Sequence, residues 1–392
     1  MADQDVLVVG GGIGGVSAAL CFARCGINVH VFEQAAEFGA VGAGIQLTPN
    51  ATRVLHDLGL EVPLREVAFL PEAVEMREWN SGRMLASNLL GAGLIADYGF
   101  PYYHVHRADL MRVLVNAAQD HPGIRLHSSA EVQSIERHDP AVSLNVAGTH
   151  YQGALLIGAD GIHSMVRTEL FGLDAPRFTG NVAWRGLVPA DRLPTDLVHP
   201  VASVWLGPHK HFVHYYVGGG ALVNCVCVIE KDGWEVESWN ERGDHAELKA
   251  DFSGWHETVE ALIDNMDPHE CFKWALFDRA PMSHWSRGRV TLLGDACHPT
   301  LPFMAQGAAM AIEDGAVLSR CVAQGDDIAS SLLRYESLRR PRTARIQGRS
   351  RRNAKVFHLS GIKAWVRNRA VGRAGSQMMN WLYRYNALDA SG

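Results

Sequence analysis

The segment 6–33 reads VLVVGGGIGGVSAALCFARCGINVHVFE, and it predicts the start of a parallel α/β fold. An apolar, β-branched run at 6–9 indicates a buried parallel strand, and a helix that ends at Gly26 follows the glycines. A second strand then ends at Glu33. The Gly-x-Gly-x-x-Gly pattern is formed by Gly10, Gly12 and Gly15. Such glycines let the backbone approach a pyrophosphate, and the acidic residue accepts from a ribose hydroxyl, so the unit predicts a dinucleotide site.

A second segment, 289–315, reads RVTLLGDACHPTLPFMAQGAAMAIEDG and narrows the choice of cofactor. It predicts a strand at 290–293, then Asp295, a proline-bearing loop, and a helix that opens at Gly307. A carboxylate at a strand end accepts from polyol hydroxyls, and a helix N-terminus favours an anionic or electron-rich ring. Together with the first segment, this arrangement indicates a flavin rather than a nicotinamide, and hence a redox enzyme.

The composition is that of an ordinary globular protein. The chain has 392 residues, 47% hydrophobic and 20% charged, which is enough for two domains or one large discontinuous one. The formal net charge of -6 gives no bias toward nucleic acid or anionic membranes, so neither partner is expected. No apolar run is long enough to span a bilayer, and the acidic N-terminus enters a strand at once, so we expect a cytoplasmic protein.

The cysteines and histidines indicate neither disulfides nor a metal site. The seven cysteines include no Cys-x-x-Cys pair, and we expect buried, reduced thiols. Among the 19 histidines, the closest cluster is His209, His211 and His214. On a strand the first two share a face and the third points away, so no metal is predicted.

The middle of the chain predicts a second domain. From about 178 to 272, segments such as HFVHYYVGG and ALVNCVCVIE indicate an antiparallel sheet. We therefore expect an α/β (α+β) protein in which a mixed β-sheet substrate domain interrupts a Rossmann-like FAD-binding domain, with a C-terminal helical segment. The predicted bounds are 1–75, 102–177 and 280–345 for the FAD-binding domain, 76–101 and 178–279 for the substrate domain, and 346–392 for the helical segment.

The last part of the chain is predicted to be helical and basic. Its arginines are Arg339, Arg340, Arg342, Arg345, Arg349, Arg351 and Arg352. We expect them to form a solvated or subunit-contacting face, with anion binding as the alternative.

Three motifs occur in order: the glycine loop with Glu33, GADGIHSMVR at 158–167, and LLGDACHP at 292–299. In combination they resemble the group A FAD-dependent aromatic hydroxylases, the p-hydroxybenzoate hydroxylase superfamily, over nearly the whole chain. Segments such as FEQAAEFGAVGAGIQLTPN, HRADL and WRGL look most similar to the hydroxylases of salicylate, 3-hydroxybenzoate and 6-hydroxynicotinate. The GGGA at 218–221 does not complete a second dinucleotide motif, as in this family, where NADH or NADPH binds transiently.

The resemblance implies tightly bound FAD and assigns its contacts. The glycine loop holds the pyrophosphate, Glu33 the adenosine ribose, and Asp295 the ribityl chain or the pyrophosphate. Asp160 serves both FAD and nicotinamide binding, and a plain turn is the alternative. The implied FAD-binding residues are Gly10, Gly12, Gly14, Gly15, Glu33, Gln46, Arg107, Val132, Asp160, Asp295, Gly307 and Ala308.

The resemblance also implies the reaction. NAD(P)H reduces FAD, dioxygen forms a C4a-hydroperoxyflavin, and one oxygen atom passes to an electron-rich ring. The implied substrate is a small phenolic or hydroxylated heteroaromatic acid of the salicylate or 3-hydroxybenzoate type. The alternatives are a decarboxylating 6-hydroxynicotinate 3-monooxygenase and a non-hydroxylating flavoenzyme of the same fold. The ring, its regiochemistry, the choice of NADH or NADPH, and a monomeric or homodimeric state stay open.

Candidate catalytic residues lie in HFVHYY and in the proline-bearing loop. His211 and Tyr215 share one strand face, and related hydroxylases carry His and Tyr at matching positions beside the substrate. We expect Tyr215 to accept the ring hydroxyl proton with His211 in support, and packed strand residues are the alternative. His298 and Pro299 match the oxygen-side loop of the family, although His298 also suits a loop-fixing hydrogen bond. Arg185 is a candidate for the substrate carboxylate or for a structural role.

Overall fold

The fold is described here from a computed structural model covering residues 5–39, 44–231, 233 and 241–389, with the backbone alone for 372–378. The strands are β1 (Val6–Val9), β2 (Val29–Phe32), β3 (Gly44–Leu47), β4 (Ala73–Glu78), β5 (Met84–Leu89), β6 (Tyr103–His106), β7 (Ile124–His127), β8 (Val132–His138), β9 (Ala141–Val146), β10 (Thr149–Gly153), β11 (Leu155–Gly158), β12 (Arg177–Pro189), β13 (Ala202–Gly207), β14 (Lys210–Val217), β15 (Leu222–Glu230), β16 (Phe272–Asp278), β17 (Ser286–Arg287) and β18 (Val290–Leu292). The α-helices are α1 (Ile13–Arg24), α2 (Pro49–Asp57), α3 (Glu61–Val67), α4 (Gly91–Tyr98), α5 (Arg107–Gln119), α6 (Met165–Phe171), α7 (His245–Asp251), α8 (Glu257–Asp264), α9 (Gly307–Gln324), α10 (Ile328–Phe357) and α11 (Gly361–Tyr383).

The glycine motif lies at the middle of a six-stranded sheet with the order β17-β18-β11-β1-β2-β7. All of its strands are parallel except β17, which pairs antiparallel with β18 at one edge. The core of this unit includes residues of α1, α5 and α9 and of the small sheet β10-β9-β8. Because parallel strands end at the same edge, Gly10, Glu33, Asp160 and Asp295 follow four neighbouring strands at the edge where such sheets bind ligands.

The second sheet has seven strands in the order β16-β12-β15-β14-β13-β4-β5. Its neighbouring strands are antiparallel except for the parallel pair β13 and β4. One face packs against α7 and α8 around Trp184 and Phe212. The opposite face packs at Val228 and Leu206 against Phe303, which lies in the loop before α9. We call this second face the inner face of the sheet, and it packs this sheet against the loop that precedes α9.

These sheets confirm the predicted α/β (α+β) fold class, whereas the exact domain bounds stay a prediction. β4 begins at Ala73, ahead of the boundary predicted between 75 and 76, because its pairing with β13 places it in the second sheet. The predicted boundary between 345 and 346 falls inside the continuous helix α10.

Two predictions made from the composition concern the burial of the cysteines and the absence of membrane-spanning segments. All seven cysteines are free, and all are buried except Cys25, which lies exposed just after α1; the prediction of burial was therefore wrong for Cys25. Among the described residues, no helix is both long and apolar enough to cross a membrane. The cytoplasmic location stays a prediction.

Candidate functional site

The glycine loop between β1 and α1 is shaped by close backbone contacts. A Cβ at Gly15 would lie 1.9 Å from the carbonyl oxygen of Gly10, which itself has a φ of +105°. A Cβ at Gly14 would lie 2.8 Å from Leu293 Cδ2, so this glycine permits close packing of α1. A Cβ at Gly12 would meet nothing within 4 Å, and no side chain caps α1 there. The first N–H groups of α1 therefore border an open space that suits a pyrophosphate.

Glu33 holds the glycine loop from the end of β2. Its carboxylate accepts hydrogen bonds from the backbone N–H groups of Gly11, at 2.8 Å, and Ala35, at 2.9 Å. The N–H of Ala130 donates to the carbonyl oxygen of Glu33 at 2.8 Å, which brings Val132 at the start of β8 to the same edge. Glu33 thus lies beside the glycine loop, where the adenosine ribose of a dinucleotide binds in folds of this kind.

Asp160 follows β11 on the other side of the glycine loop. Its Oδ2 accepts from the N–H of Val166 at 3.1 Å, while its buried Oδ1 makes no hydrogen bond within the described residues. Burial raises the pKa of Asp160, and the hydrogen bonds from Ser164 and Val166 oppose that change. A buried carboxylate oxygen without a donor is unfavourable, so this atom favours a ligand that carries a hydroxyl group.

Asp295 and Arg107 border the open space beside the glycine loop, which we call the cleft. Asp295 is surrounded by protein, yet its side chain reaches solvent, as in the wall of an open cleft. Burial raises the pKa of Asp295, and the charges of His298 and Arg107 oppose that rise. Burial lowers the pKa of Arg107, and the charge of Asp295 opposes that shift. Arg167 donates to the carbonyl oxygen of Ala296 at 2.9 Å and so joins the 158–167 segment to the Asp295 loop.

The start of α9 lies in the same part of the fold as the Asp295 loop and strand β3. Gly307 and Ala308 open this helix, which has no side-chain cap and no acidic residue in its first turn. Gln46, on the neighbouring strand β3, accepts a hydrogen bond from the hydroxyl of Tyr102 at 2.7 Å through its Oε1. The uncapped helix start favours negative charge on a ring that binds beside it.

The sequence reasoning missed a buried polar network that joins α2 to the start of α9. Asn50 Nδ2 donates to Glu313 Oε1 at 2.6 Å and to Gln306 Oε1 at 3.2 Å. Gln306 Nε2 donates in turn to Thr48 Oγ1 at 3.1 Å, and all four side chains are buried. The only signal in the sequence was the presence of polar residues inside the otherwise apolar motifs LTPN and FMAQG.

The basic helix α10 is only partly the solvated face predicted from sequence. Arg339 contacts Asp314 at 2.6 Å and Glu313 at 2.7 Å, and Arg342 contacts Glu313 at 2.7 Å, with all four side chains buried. The prediction was therefore wrong for these two arginines, because α10 packs along the acidic face of α9. Burial opposes ionisation of Glu313 and Asp314, yet the neighbouring cations hold the pKa of each carboxyl below its ordinary value.

His298 and Pro299 contact buried protein groups. His298 Nε2 lies 2.5 Å from Asp314 Oδ2, and the carbonyl oxygen of Pro299 accepts from Gln347 at 2.8 Å. Cys297, His298 and Asp314 place three donor atoms within 4.8 Å of one another. Because Asp314 already pairs with Arg339, we assign no metal ion to this group. The contacts favour the loop-fixing alternative for His298.

His211 and Tyr215 lie on the inner face of the second sheet. The ring of His211 is 5.2 Å from that of Phe303, in the loop that follows Asp295. A Cβ at Gly44 would lie 2.8 Å from Tyr215 Oη, so glycine lets β3 approach this tyrosine closely. Val213, between the two residues, is only partly buried although it lies in the middle of the sheet. Space therefore remains beside this wall of the cleft.

The other polar candidates of the second sheet point in different directions. Neither the exposed His209 nor the buried His214, which faces Trp205, contacts His211 directly, so the structure does not gather the three histidines into one site. Arg185 lies buried with its guanidinium 5.1 Å from the ring of Phe272. Burial and the charge of Arg107 lower the pKa of Arg185 to about 10.

Comparison with known proteins identifies the family. A model described as the FAD binding domain matches residues 3–350. The chain belongs to this FAD-binding family. It is 41% identical to the 3-amino-4-hydroxybenzoate 2-monooxygenase PtnB3 of Streptomyces platensis, over 97% of the chain and 96% of the relative. It is 37% identical to the 3-hydroxybenzoate 6-hydroxylase of Klebsiella oxytoca, over 98% of both. A solved salicylate hydroxylase substrate complex superposes with a TM-score of 0.82 at 26% identity, over 99% and 97% of the two chains.

These likenesses confirm FAD as the cofactor and a flavoprotein aromatic monooxygenase of group A as the protein class. The site suits FAD on its own grounds: within the part of the chain that the structure describes, Gly12 borders an open space, a buried oxygen of Asp160 has no donor, and no side chain caps the start of α9 at Gly307. The roles of the individual residues, and the monomeric or homodimeric state, stay predictions.

Proposed function

We propose that this flavoprotein hydroxylates a small hydroxybenzoate, with 3-hydroxybenzoate and 3-amino-4-hydroxybenzoate as the leading candidates, using NADH or NADPH and dioxygen. The observation that carries the proposal is the position of His211 and Tyr215 on the inner face of the sheet, with His211 beside Phe303 and Tyr215 beside Gly44 of β3. The relatives that act on these two acids support the substrate class. The positive charges of Arg107 and Arg185 favour an anionic substrate on the same side of the cleft.

In the proposed reaction, bound FAD supplies hydride acceptance and the activation of dioxygen. The protein has to exclude water, stabilise negative charge and remove the ring hydroxyl proton. The start of α9 at Gly307 stabilises negative charge beside the flavin ring. The buried ion pairs of Arg339 with Glu313 and Asp314 hold α9 and the preceding loop in position.

The structure favours an exchange of the roles predicted for His211 and Tyr215. Burial raises the pKa of Tyr215 far above its ordinary value, so its hydroxyl stays protonated and donates hydrogen bonds. Burial, together with the charge of His358, lowers the pKa of His211, so its imidazole is neutral and carries a lone pair. We therefore assign proton acceptance to His211, and we assign to Tyr215 a hydrogen bond that holds the substrate oxygen.

Steady-state oxidation of NADH and NADPH by the FAD-loaded protein tests the function. The panel contains 3-hydroxybenzoate, 3-amino-4-hydroxybenzoate, salicylate and 6-hydroxynicotinate, each with and without catalase to reveal uncoupled peroxide. We expect at least one hydroxybenzoate to stimulate oxidation and to gain one oxygen atom, as measured by mass spectrometry. Stimulation by 6-hydroxynicotinate alone, with loss of its carboxyl group, would favour the decarboxylating alternative. No stimulation by any hydroxybenzoate, in protein with full FAD occupancy, would contradict the proposal.

A further inference from the structure

His211 is the buried end of a series of hydrogen bonds that leads to the surface. Its Nδ1 lies 2.8 Å from Nε2 of His358, which follows α10, and Nδ1 of His358 lies 3.1 Å from Oε1 of Glu230. The other oxygen of Glu230 lies 2.8 Å from Nδ1 of His209. His211 and His358 are each 3% exposed, whereas the side chains of Glu230 and His209 are 43% and 63% exposed. The series therefore joins the substrate wall to solvent.

The two ends of this series determine where the protons lie. A carboxylate only accepts hydrogen bonds, so Nδ1 of His358 carries a proton toward Glu230. In a neutral imidazole the other nitrogen is then an acceptor, so Nε2 of His358 accepts from Nδ1–H of His211. Nε2 of the neutral His211 consequently carries a lone pair. Glu230 thus sets His211, two hydrogen bonds away, in the tautomer that accepts a proton at Nε2.

The surroundings of His211 disfavour a lasting imidazolium. The rings of Phe303 and Phe357 lie 5.2 Å and 5.4 Å from the His211 ring. Burial lowers the pKa of His358 as it does that of His211. Glu230 opposes this shift, while the charges of His209 and of Arg367 from α11 lower the pKa of His358 further. A proton accepted by His211 therefore has to leave for the base to act efficiently.

We propose that His358 and Glu230 are a proton relay that carries the ring hydroxyl proton from His211 to solvent; the inference rests on the proposed function. The substrate O–H bond breaks as a bond forms between the proton and Nε2 of His211. Nδ1 of His211 then loses its proton to Nε2 of His358, and Nδ1 of His358 loses its proton to Glu230. Glu230 returns to its carboxylate form by giving the proton to water or to His209. No electrons are transferred in these steps, and the substrate keeps the electron pair of its oxygen.

The relay ends in an open cleft of about 820 Å³ at the edge of the second sheet. Glu230 and His209 line this cleft together with polar and charged side chains from β12, β16 and α10. The other charged groups that line it are Arg177, Lys231, Asp278, Arg351 and Lys355. Since the cleft is open to solvent, water is present to receive the proton at the carboxylate.

Two variants interrupt the relay in different ways. Glu230→Gln keeps an oxygen that accepts from His358 but cannot take up a proton at neutral pH. His358→Ala removes the central group, and free imidazole added to the solution can occupy the space that the side chain leaves. Glu270→Gln is the matched control, because Glu270 is an exposed acid of the same sheet region that lies outside the relay. Thermal unfolding and FAD content of each holoenzyme report whether the fold is intact.

The test uses FAD-loaded protein with 3-hydroxybenzoate and 3-amino-4-hydroxybenzoate as probes. We expect Glu230→Gln to lower the rate of product formation about 10-fold and His358→Ala by about 10- to 100-fold, with imidazole restoring activity to the latter. Glu270→Gln keeps the wild-type rates of product formation and of FAD reduction by NADH. In Glu230→Gln the acidic limb of the pH profile of kcat/KM moves to lower pH, because the carboxylate no longer raises the pKa of His358.

The outcomes separate the relay from the proposed function. A wild-type protein that neither probe stimulates overturns the proposed function and the relay with it. Wild-type hydroxylation together with unchanged rates and pH profiles in both variants overturns the relay alone. A loss of activity that imidazole does not restore in His358→Ala, with an unchanged profile in Glu230→Gln, shows a purely structural contact and also overturns the relay.

Discussion

Nε2 of His298 lies 2.5 Å from Oδ2 of Asp314, and both side chains are buried. The same carboxylate binds Arg339 of α10 at 2.6 Å and accepts from the N–H of Gly294 at 3.1 Å. One buried aspartate thus joins the loop after β18, the helix α9 and the helix α10. The loop that precedes α9 is therefore held by ionic and hydrogen-bonding contacts of Asp314 as well as by apolar packing.

Replacement of this aspartate should destabilise the protein strongly. In Asp314→Asn, the buried guanidinium of Arg339 loses part of its charge compensation and His298 loses its carboxylate partner, so we expect the free energy of unfolding to fall by about 3 kcal/mol. Urea denaturation of the FAD-loaded protein, followed by circular dichroism, measures the change. The control is Asp57→Asn, which removes an exposed ion pair with Arg24 and should cost less than about 1 kcal/mol. Equal losses in the two variants would contradict the structural importance of the Asp314 contacts.

The carboxylate of Glu33 should contribute to FAD affinity. Glu33→Ala removes the acceptor that holds the N–H of Gly11 in place and that we expect to bind the ribose, so FAD affinity should fall about 10- to 100-fold. Quenching of flavin fluorescence on titration of apoprotein with FAD measures the dissociation constant. Glu37→Ala is the matched control, since it removes an exposed acid from the same loop. If both variants bind FAD like the wild type, Glu33 has no part in FAD binding.

Tyr215 should control the coupling of NADH oxidation to hydroxylation. Tyr215→Phe removes the hydroxyl that we assign to the substrate oxygen, so product formed per NADH oxidised should fall several-fold while FAD content stays normal. The measurement is the ratio of hydroxylated product to peroxide. Tyr216→Phe serves as control, because Tyr216 lies on the opposite face and donates to the carbonyl of Val198 at 3.0 Å. Unchanged coupling in Tyr215→Phe would remove the assigned role.

Buried neutral histidines should make the fold sensitive to acid. Burial lowers the pKa of His104 and that of His214 to about 3, while an unfolded histidine has a pKa of about 6.5. Below pH 6.5 the unfolded chain binds protons that the folded protein does not, so stability is complete above that pH and declines as the pH falls toward 3. Each residue contributes a loss of about 1.4 kcal/mol per pH unit within this window.

A variant of one histidine tests this acid sensitivity. Unfolding free energies of His214→Gln between pH 6.5 and 4, at a fixed excess of FAD, should show a slope shallower by about 1.4 kcal/mol per pH unit than the wild type. His150→Gln, which replaces an exposed histidine, is the control for a His-to-Gln change at the surface. A wild-type slope in His214→Gln would show that His214 does not remain neutral in the folded protein.

The placement of the predicted FAD-binding residues at one edge of the sheet followed from short-range rules. Gly10 to Gly15 have to form a tight turn between a strand and a helix, and Glu33, Asp160 and Asp295 each follow a strand of one parallel sheet. Since parallel strands end at the same edge, their order along the chain was enough to place these side chains together. The alternation along β14 likewise placed His211 and Tyr215 on one face.

The sequence by itself thus determined the class of fold and the cofactor, while the residues that it assigns to FAD stay predictions. Only the tertiary structure decided which charges meet in the interior. Arg339 and Arg342 resembled a solvated face until the packing of α10 on α9 set them against Glu313 and Asp314. His358 lies 147 residues from His211 along the chain, yet their rings are hydrogen-bonded. Such contacts depend on how separate helices and strands pack against each other. Local periodicity and motif spacing cannot predict which residues far apart in the sequence will meet.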